Sequence, residues 1–180
     1  LPLSEPGDPV YSIAFEPNAR HLVTGTQSGA VRVFQLESGR VVAKFQAHSS
    51  FIWSLAFHPD GDRFASGGGD NQVKCWSLSK TIETVSPTPL GKITTHRDQV
   101  SRVAFSDDGK ILASCSWDGV VLLTNSSTMH PIATLDGHNG RVEALAFLPR
   151  DAMTLVTADY KGTVREWNIP KDHLAPKHLK

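Results

Sequence analysis

Apolar and polar positions along this chain alternate in short runs, and no ten-residue stretch sustains a helical period. Four segments carry the same pattern: Val10-Tyr-Ser-Ile-Ala-Phe15, Ile52-Trp-Ser-Leu-Ala-Phe57, Val100-Ser-Arg-Val-Ala-Phe105 and Val142-Glu-Ala-Leu-Ala-Phe147. They begin at residues 10, 52, 100 and 142, hence 42, 48 and 42 positions apart. The closing Phe is followed nine residues on by Thr24, Ser66 and Ser114, and ten residues on by Thr157. Ten residues past each hydroxyl stands Phe34, Trp76, Thr124 or Trp167. Self-similarity at this period marks a repeat architecture, in which each unit buries its apolar faces against its neighbours.

Turn signals divide each copy into strands. Pro59-Asp60-Gly61 and Asp107-Asp108-Gly109 close a first turn, and Asp70-Asn71 and Asp118-Gly119 a second. The second copy therefore predicts a strand a over Ile52–Phe57, b over Arg63–Gly67, c over Val73–Trp76, and then an outer strand d. Runs such as Ile111–Cys115 are almost continuously apolar, which suits sheets covered on both faces. Leu1 and Leu3 fall where Ala43 and Phe45 sit in an outer strand. Extra length collects in two places, Leu148–Met153 and Ser77–Gly91. The latter contains Ser86-Pro87 and Thr88-Pro89 and is predicted to be a plain solvated loop, favoured over a proline-directed phosphorylation site.

A histidine stands four residues before strand a in three copies: His48, His96 and His138. With Gly137-His138 and the strand-c Trp76 and Trp167, the chain resembles the WD-repeat family over about residues 1–169. The resemblance implies an all-β, WD-type β-propeller of four four-stranded antiparallel blades, near 4–36, 41–78, 91–125 and 132–169, followed by a polar tail, 170–180. Seven or eight blades usually close such a ring, so the chain is expected to be part of one. The missing blades would come from the same longer chain or from a second copy, a closed four-blade ring being the third reading.

The resemblance also implies a buried tetrad: His48 bridging the Asp70 carboxylate and the Ser66 hydroxyl, which accepts from the Trp76 indole. The third copy keeps His96, Ser114 and Asp118, with Thr124 in place of the tryptophan. In the fourth stand His138, Thr157 and Trp167, with Lys161 at the aspartate position. The first keeps Thr24 alone, so only the second copy reads as complete. Serine, histidine and aspartate could equally form a nucleophilic triad. Yet the set recurs from copy to copy, no strained GxSxG elbow accompanies it, and an indole suits a buried hydrogen bond better than proton transfer. No catalytic residue is expected.

Partner contacts in the family lie three and five residues past the histidine and one before the turn aspartate. The matching positions include Phe51 and Arg141, then Tyr11, Trp53 and Glu143, then Trp117 and Tyr160. Exposed aromatic clusters of this kind are typical binding hot spots. The competing reading gives Trp53 and Phe51 to interblade packing.

Composition narrows the partners. Lysine plus arginine, 18, equals aspartate plus glutamate, 18, so no net field draws nucleic acid or an anionic membrane. No apolar run nears the roughly 18 residues that span a bilayer. Neither Cys75 nor Cys115 has a CxxC partner, and the eight histidines lack ligand spacing, so no metal or cofactor is expected. A cytoplasmic interaction scaffold binding other proteins or peptides is the leading expectation. The alternative is a sensor or autoinhibitory module of a larger signalling ATPase, kinase or protease.

Overall fold

The computed structural model describes residues 7–84, 86–149 and 151–169, with no side chain described at 151 or 152. Leu1, Leu3 and the tail, 170–180, lie outside the described residues. The strands form four antiparallel sheets in simple sequential order. The first comprises β1 (Val10–Phe15), β2 (His21–Thr26), β3 (Ala30–Gln35) and β4 (Arg40–Gln46). The second holds β5 (Ile52–Phe57), β6 (Arg63–Gly68), β7 (Val73–Ser77) and β8 (Gly91–Ile93). β9 (Val100–Phe105), β10 (Ile111–Ser116), β11 (Val121–Asn125) and β12 (Pro131–Leu135) form the third. The fourth sheet has three strands among the described residues: β13 (Val142–Leu148), β14 (Asp151–Asp159) and β15 (Val164–Asn168).

Each turn sits where the sequence permits it. The a–b turns of the second and third sheets end on Gly61 and Gly109, at φ +82° and +72°, a region that only glycine enters without strain. The first strands β1, β5, β9 and β13 contact one another in succession, so the sheets fan out as blades from a shared inner edge. Three apolar cores fill the junctions. Val23, Val31 and Phe45 of the first blade meet Ile52, Leu55, Phe64 and Trp76 of the second. Ala65, Val73 and Ile93 meet Val100, Val103 and Leu112, and Ala113, Val121 and Leu123 meet Val142 and Leu155. β10, covered from both sides, is buried at all six positions. This is the physical reason for its unbroken apolar run.

One expectation is corrected. Part of Ser77–Gly91 is a short helix, α1 (Leu78–Glu83), and not a plain loop. Ser77 caps it, its hydroxyl accepting the Lys80 N–H at 3.3 Å. Leu78 and Ile82, four residues apart, pack on the core between the first two blades. The six-residue helix is too short to show as a period in the sequence.

Candidate functional site

Two sets of residues converge at the end of the blades that carries the d–a loops and b–c turns. The first is a buried polar network. His48 Nδ1 lies 2.7 Å from Asp70 Oδ1, and His48 Nε2 lies 2.7 Å from the Ser66 hydroxyl, which accepts the Trp76 indole N–H at 2.9 Å. Asp70 also accepts the Ser49 backbone N–H, pinning the d–a loop to the turn. Every polar group of this buried set has a partner, as burial in low dielectric demands. In the third blade His96 bridges Asp118 at 3.1 Å and Ser114 at 2.9 Å, and Thr124 supplies no indole.

The fourth blade departs from the expectation. Its carboxylate is Asp159, at the end of β14, and not a residue at the position of Lys161. Asp159 Oδ2 lies 2.9 Å from His138 Nδ1, Thr157 accepts from Trp167 at 2.8 Å, and His138 Nε2 meets Thr157 at 2.7 Å. The fourth blade is therefore complete, alongside the second. The position two residues past the hydroxyl explains the exchange. In the second blade it is Gly68, where a Cβ would overlap the His48 ring and sit 2.7 Å from the Asp70 carboxylate. The carboxylate can thus come from the turn, past Gly68 in the second blade and Ser116 in the third, or from the strand end directly.

Electrostatics follow the same geometry. Burial pushes the Asp118 carboxyl up, but hydrogen bonds from His96 and from the N–H groups of Arg97 and Val120 outweigh it and bring it down to about 2. Asp159 also falls to about 2, chiefly through His138, with the Thr163 and Lys161 N–H groups assisting against burial. Asp70 moves the same way: the bonds to His48 and Ser49 and the charge of Lys74 overcome its burial.

The first blade uses an inverted network that the sequence reading missed. Asp8 in the loop accepts the Ser28 hydroxyl at 2.7 Å and its N–H at 3.0 Å, and pairs with Arg32 at 3.4 Å. The carboxylate comes from the loop and the hydroxyl from the turn. Thr24 is left buried, its hydroxyl without a partner among the described residues. An Asp two residues past the histidine position and a strand-c arginine were the available signals.

The second set is aromatic, and two regular backbone features present it. Each strand a carries a bulge that drops one residue from the ladder: Tyr11, Trp53, Ser101 and Glu143 in turn. Bulges re-aim side chains at the end of a strand. Each b–c turn is then tied back by one bond, from Gln27, Gly69, Trp117 and Tyr160 N–H to the carbonyls of Pro9, Phe51, Gln99 and Arg141, at 2.8–3.0 Å. The rings form a contiguous path. Tyr11 meets Phe51 and Trp53 edge-on at 5.7 and 5.2 Å, Phe51 stacks on Trp53 at 5.2 Å, and Trp53 lies 5.9 Å from Trp117. The Arg141 guanidinium sits 4.4 Å over Trp117, whose indole donates to Glu143 at 3.2 Å. Trp53 donates to Gln99 at 2.6 Å, and Arg102 donates to the Trp53 carbonyl at 3.3 Å. Gln99 stands three residues past His96, at one of the positions matched to the family's partner contacts, and Arg102 lies on the inner strand β9. Tyr160 stands apart, exposed, with Lys161 5.7 Å above its ring. No group of three or more potential metal ligands occurs among the described residues.

Radially stacked antiparallel blades with this recurring network define a β-propeller of WD type. The chain belongs to the WD40 repeat family: the family's model, WD domain, G-beta repeat, matches residues 39–77, 87–125 and 129–168. A model of the anaphase-promoting complex subunit 4 WD40 domain matches residues 2–54. Among its relatives, WD repeat-containing protein VIP3 of Arabidopsis thaliana is 31% identical over 155 residues, 81% of this chain and 48% of that protein. Transducin beta-like protein 3 of Bos taurus is 27% identical over 171 residues, 88% of this chain and 20% of that protein. The fold is shared with a chain in the crystal structure of the mitotic checkpoint complex, at a TM-score of 0.82 and 22% identity, over 92% of this chain and 49% of that one. The chain thus spans about half the length of VIP3 and of its structural neighbour, and a fifth of transducin beta-like protein 3.

Proposed function

We propose that these blades form part of a protein-interaction scaffold whose working surface is the end face built from Tyr11, Phe51, Trp53, Trp117, Arg141, Glu143 and Tyr160. The observation that carries this is the unbroken ring path from Tyr11 to Trp117, continued by Arg141, across all four blades. Tyr11, at one end of the path, remains 47% exposed, and Tyr160, apart from it on the fourth blade, 60%. Clustered aromatic and arginine side chains dominate binding energy at protein interfaces. The half-buried Trp53 and Trp117 serve packing as well, each holding a neighbour through its indole N–H.

The His–Ser–Asp sets act as structure in this reading. Their hydroxyls are buried and each is held by the imidazole, with an indole as well in the second and fourth blades. On β1, Val10 and Ile13 are about half exposed, whereas their counterparts Ile52 and Leu55 are buried against a preceding blade. That exposure supports a further blade seated on β1.

The test is peptide selection by display on the immobilised protein, followed by titration of the selected peptides. Binding should change the tryptophan emission and weaken at least tenfold in Trp117→Ala or Tyr160→Ala, with far-UV circular dichroism unchanged. Selected peptides that bind both variants as tightly as the parent would reject the face.

A further inference from the structure

At the blade junctions one residue pair sets the width of the outer rim. Between the first and second blades it is Phe45 and Trp76, with ring centroids 4.8 Å apart. Between the third and fourth, Leu135 and Trp167 belong to one core. Phe45 lies opposite Val31, and Ile93 lies opposite the equivalent Val73, so Ile93 is the counterpart of Phe45 between the second and third blades. Lining the same cleft as Ile93 is Thr124, at the position that carries an indole in the second and fourth blades. A Phe–Trp pair has become Ile–Thr, and the junction has not collapsed to compensate. A cleft of about 200 Å³ remains, with Ile93, Leu122, Met129 and Pro131 on its apolar side and Lys92 and three threonines, Thr95 and Thr124 among them, on the other.

The apolar wall of such a cleft stays available to an aromatic guest, because a shaped apolar group recovers contacts that water does not. We infer that this cleft is a binding site for one aromatic side chain, tryptophan foremost, presented by a peptide segment of a partner protein. Three observations select that occupant. The volume is below the roughly 300–1,000 Å³ of ordinary small-molecule sites, so it takes a side chain and not a larger ligand. The equivalent space is filled by an indole at both flanking junctions. Finally, a second cleft of about 320 Å³ shares Thr95 and Leu122 with the first and runs on past Arg97 to Asp118 and Asp136. It gives the backbone on either side of the anchor a polar track toward the aromatic end face. Met129, unbranched and adaptable, forms the wall that can move to admit the ring.

Nuclear magnetic resonance titration of the protein with indole, and separately with N-acetyl-tryptophanamide, tests this. Both should give saturable shifts of the Ile93, Leu122 and Met129 methyls. Thr124→Trp should abolish the shifts and raise the melting temperature, because the introduced indole fills the cleft and can donate to Ser114. Thr124→Phe, a smaller filling, provides the same blocking test should the larger one misfold. Trp117→Ala should leave the shifts intact, which separates this cleft from the end face. No shift up to the solubility limit of indole, shifts confined to residues around Trp53, or shifts persisting in both filled variants would overturn the site. Binding of indole but not of the blocked amino acid would overturn its occupation by a peptide side chain.

Discussion

Asp159 reaches His138 from the last position of β14, whereas Asp70 reaches His48 from the following turn, across Gly68. Two routes thus deliver a carboxylate to the same imidazole nitrogen. In the fourth blade the residue at the turn position, Lys161, is exposed. Asp159→Ala should therefore lower the urea midpoint clearly, by stranding the His138 N–H, while Lys161→Ala should shift it within experimental error. Equal losses in the two variants would contradict the assignment.

Gly68→Ala should be far more damaging than an ordinary strand substitution. The added methyl would overlap the His48 ring, and neither the ring nor Asp70 can yield without breaking its hydrogen bonds. A loss of about 1–3 kcal/mol is expected from overpacking, read from denaturant unfolding.

The hydroxyls of the first and second blades should respond oppositely to removal. Ser66 accepts from Trp76 and meets His48, so Ser66→Ala strands two buried groups and should cost about 1–3 kcal/mol. Thr24 is buried with no partner among the described residues, so Thr24→Val exchanges an unsatisfied hydroxyl for a methyl of the same shape. Its melting temperature should hold or rise.

Acid should weaken the blades over a defined window. Asp118 and Asp159 titrate at about 2 when folded against 3.8 in the free side chain, and Asp70 is lowered in the same direction. The unfolded chain thus binds protons first, so the contribution of these groups is whole above about pH 4 and is lost as pH falls toward 2. Urea midpoints measured from pH 6 to pH 2.5 should decline mainly below pH 4, and Asp118→Asn should flatten part of that decline.

Both thiols should be silent in the native protein. Burial pushes Cys75 up to about 11 and Cys115 up to about 12, which suppresses the thiolate that reacts with disulfide reagents. Ellman's reagent should find no thiol at pH 8 in buffer and two in denaturant. Rapid native labelling of either would mean that its blade opens.

Much of the site was legible because it rests on spacing. His48, Ser66, Asp70 and Trp76 keep fixed offsets, and a hydrogen-bonded network that spans two turns of one sheet needs them fixed. Asp159 escaped the same reasoning because a carboxylate can reach the imidazole from two backbone positions, and an offset identifies only one. Asp8 escaped because the first blade exchanges the roles of loop and turn. Trp53 and Gln99, 46 positions apart, form a bond that no local pattern encodes.

The sequence by itself determined the repeat, its strands and turns, and the end of each blade where polar and aromatic residues collect. These follow from residue types at short separations, where propensity, turn chemistry and alternation act. Tertiary structure alone decided which groups complete each network, how rings from three blades meet in one path, and where Thr124 leaves a cleft. Each of these depends on one sheet's position against the next, and that is set by side-chain volumes across a junction and not by order along the chain.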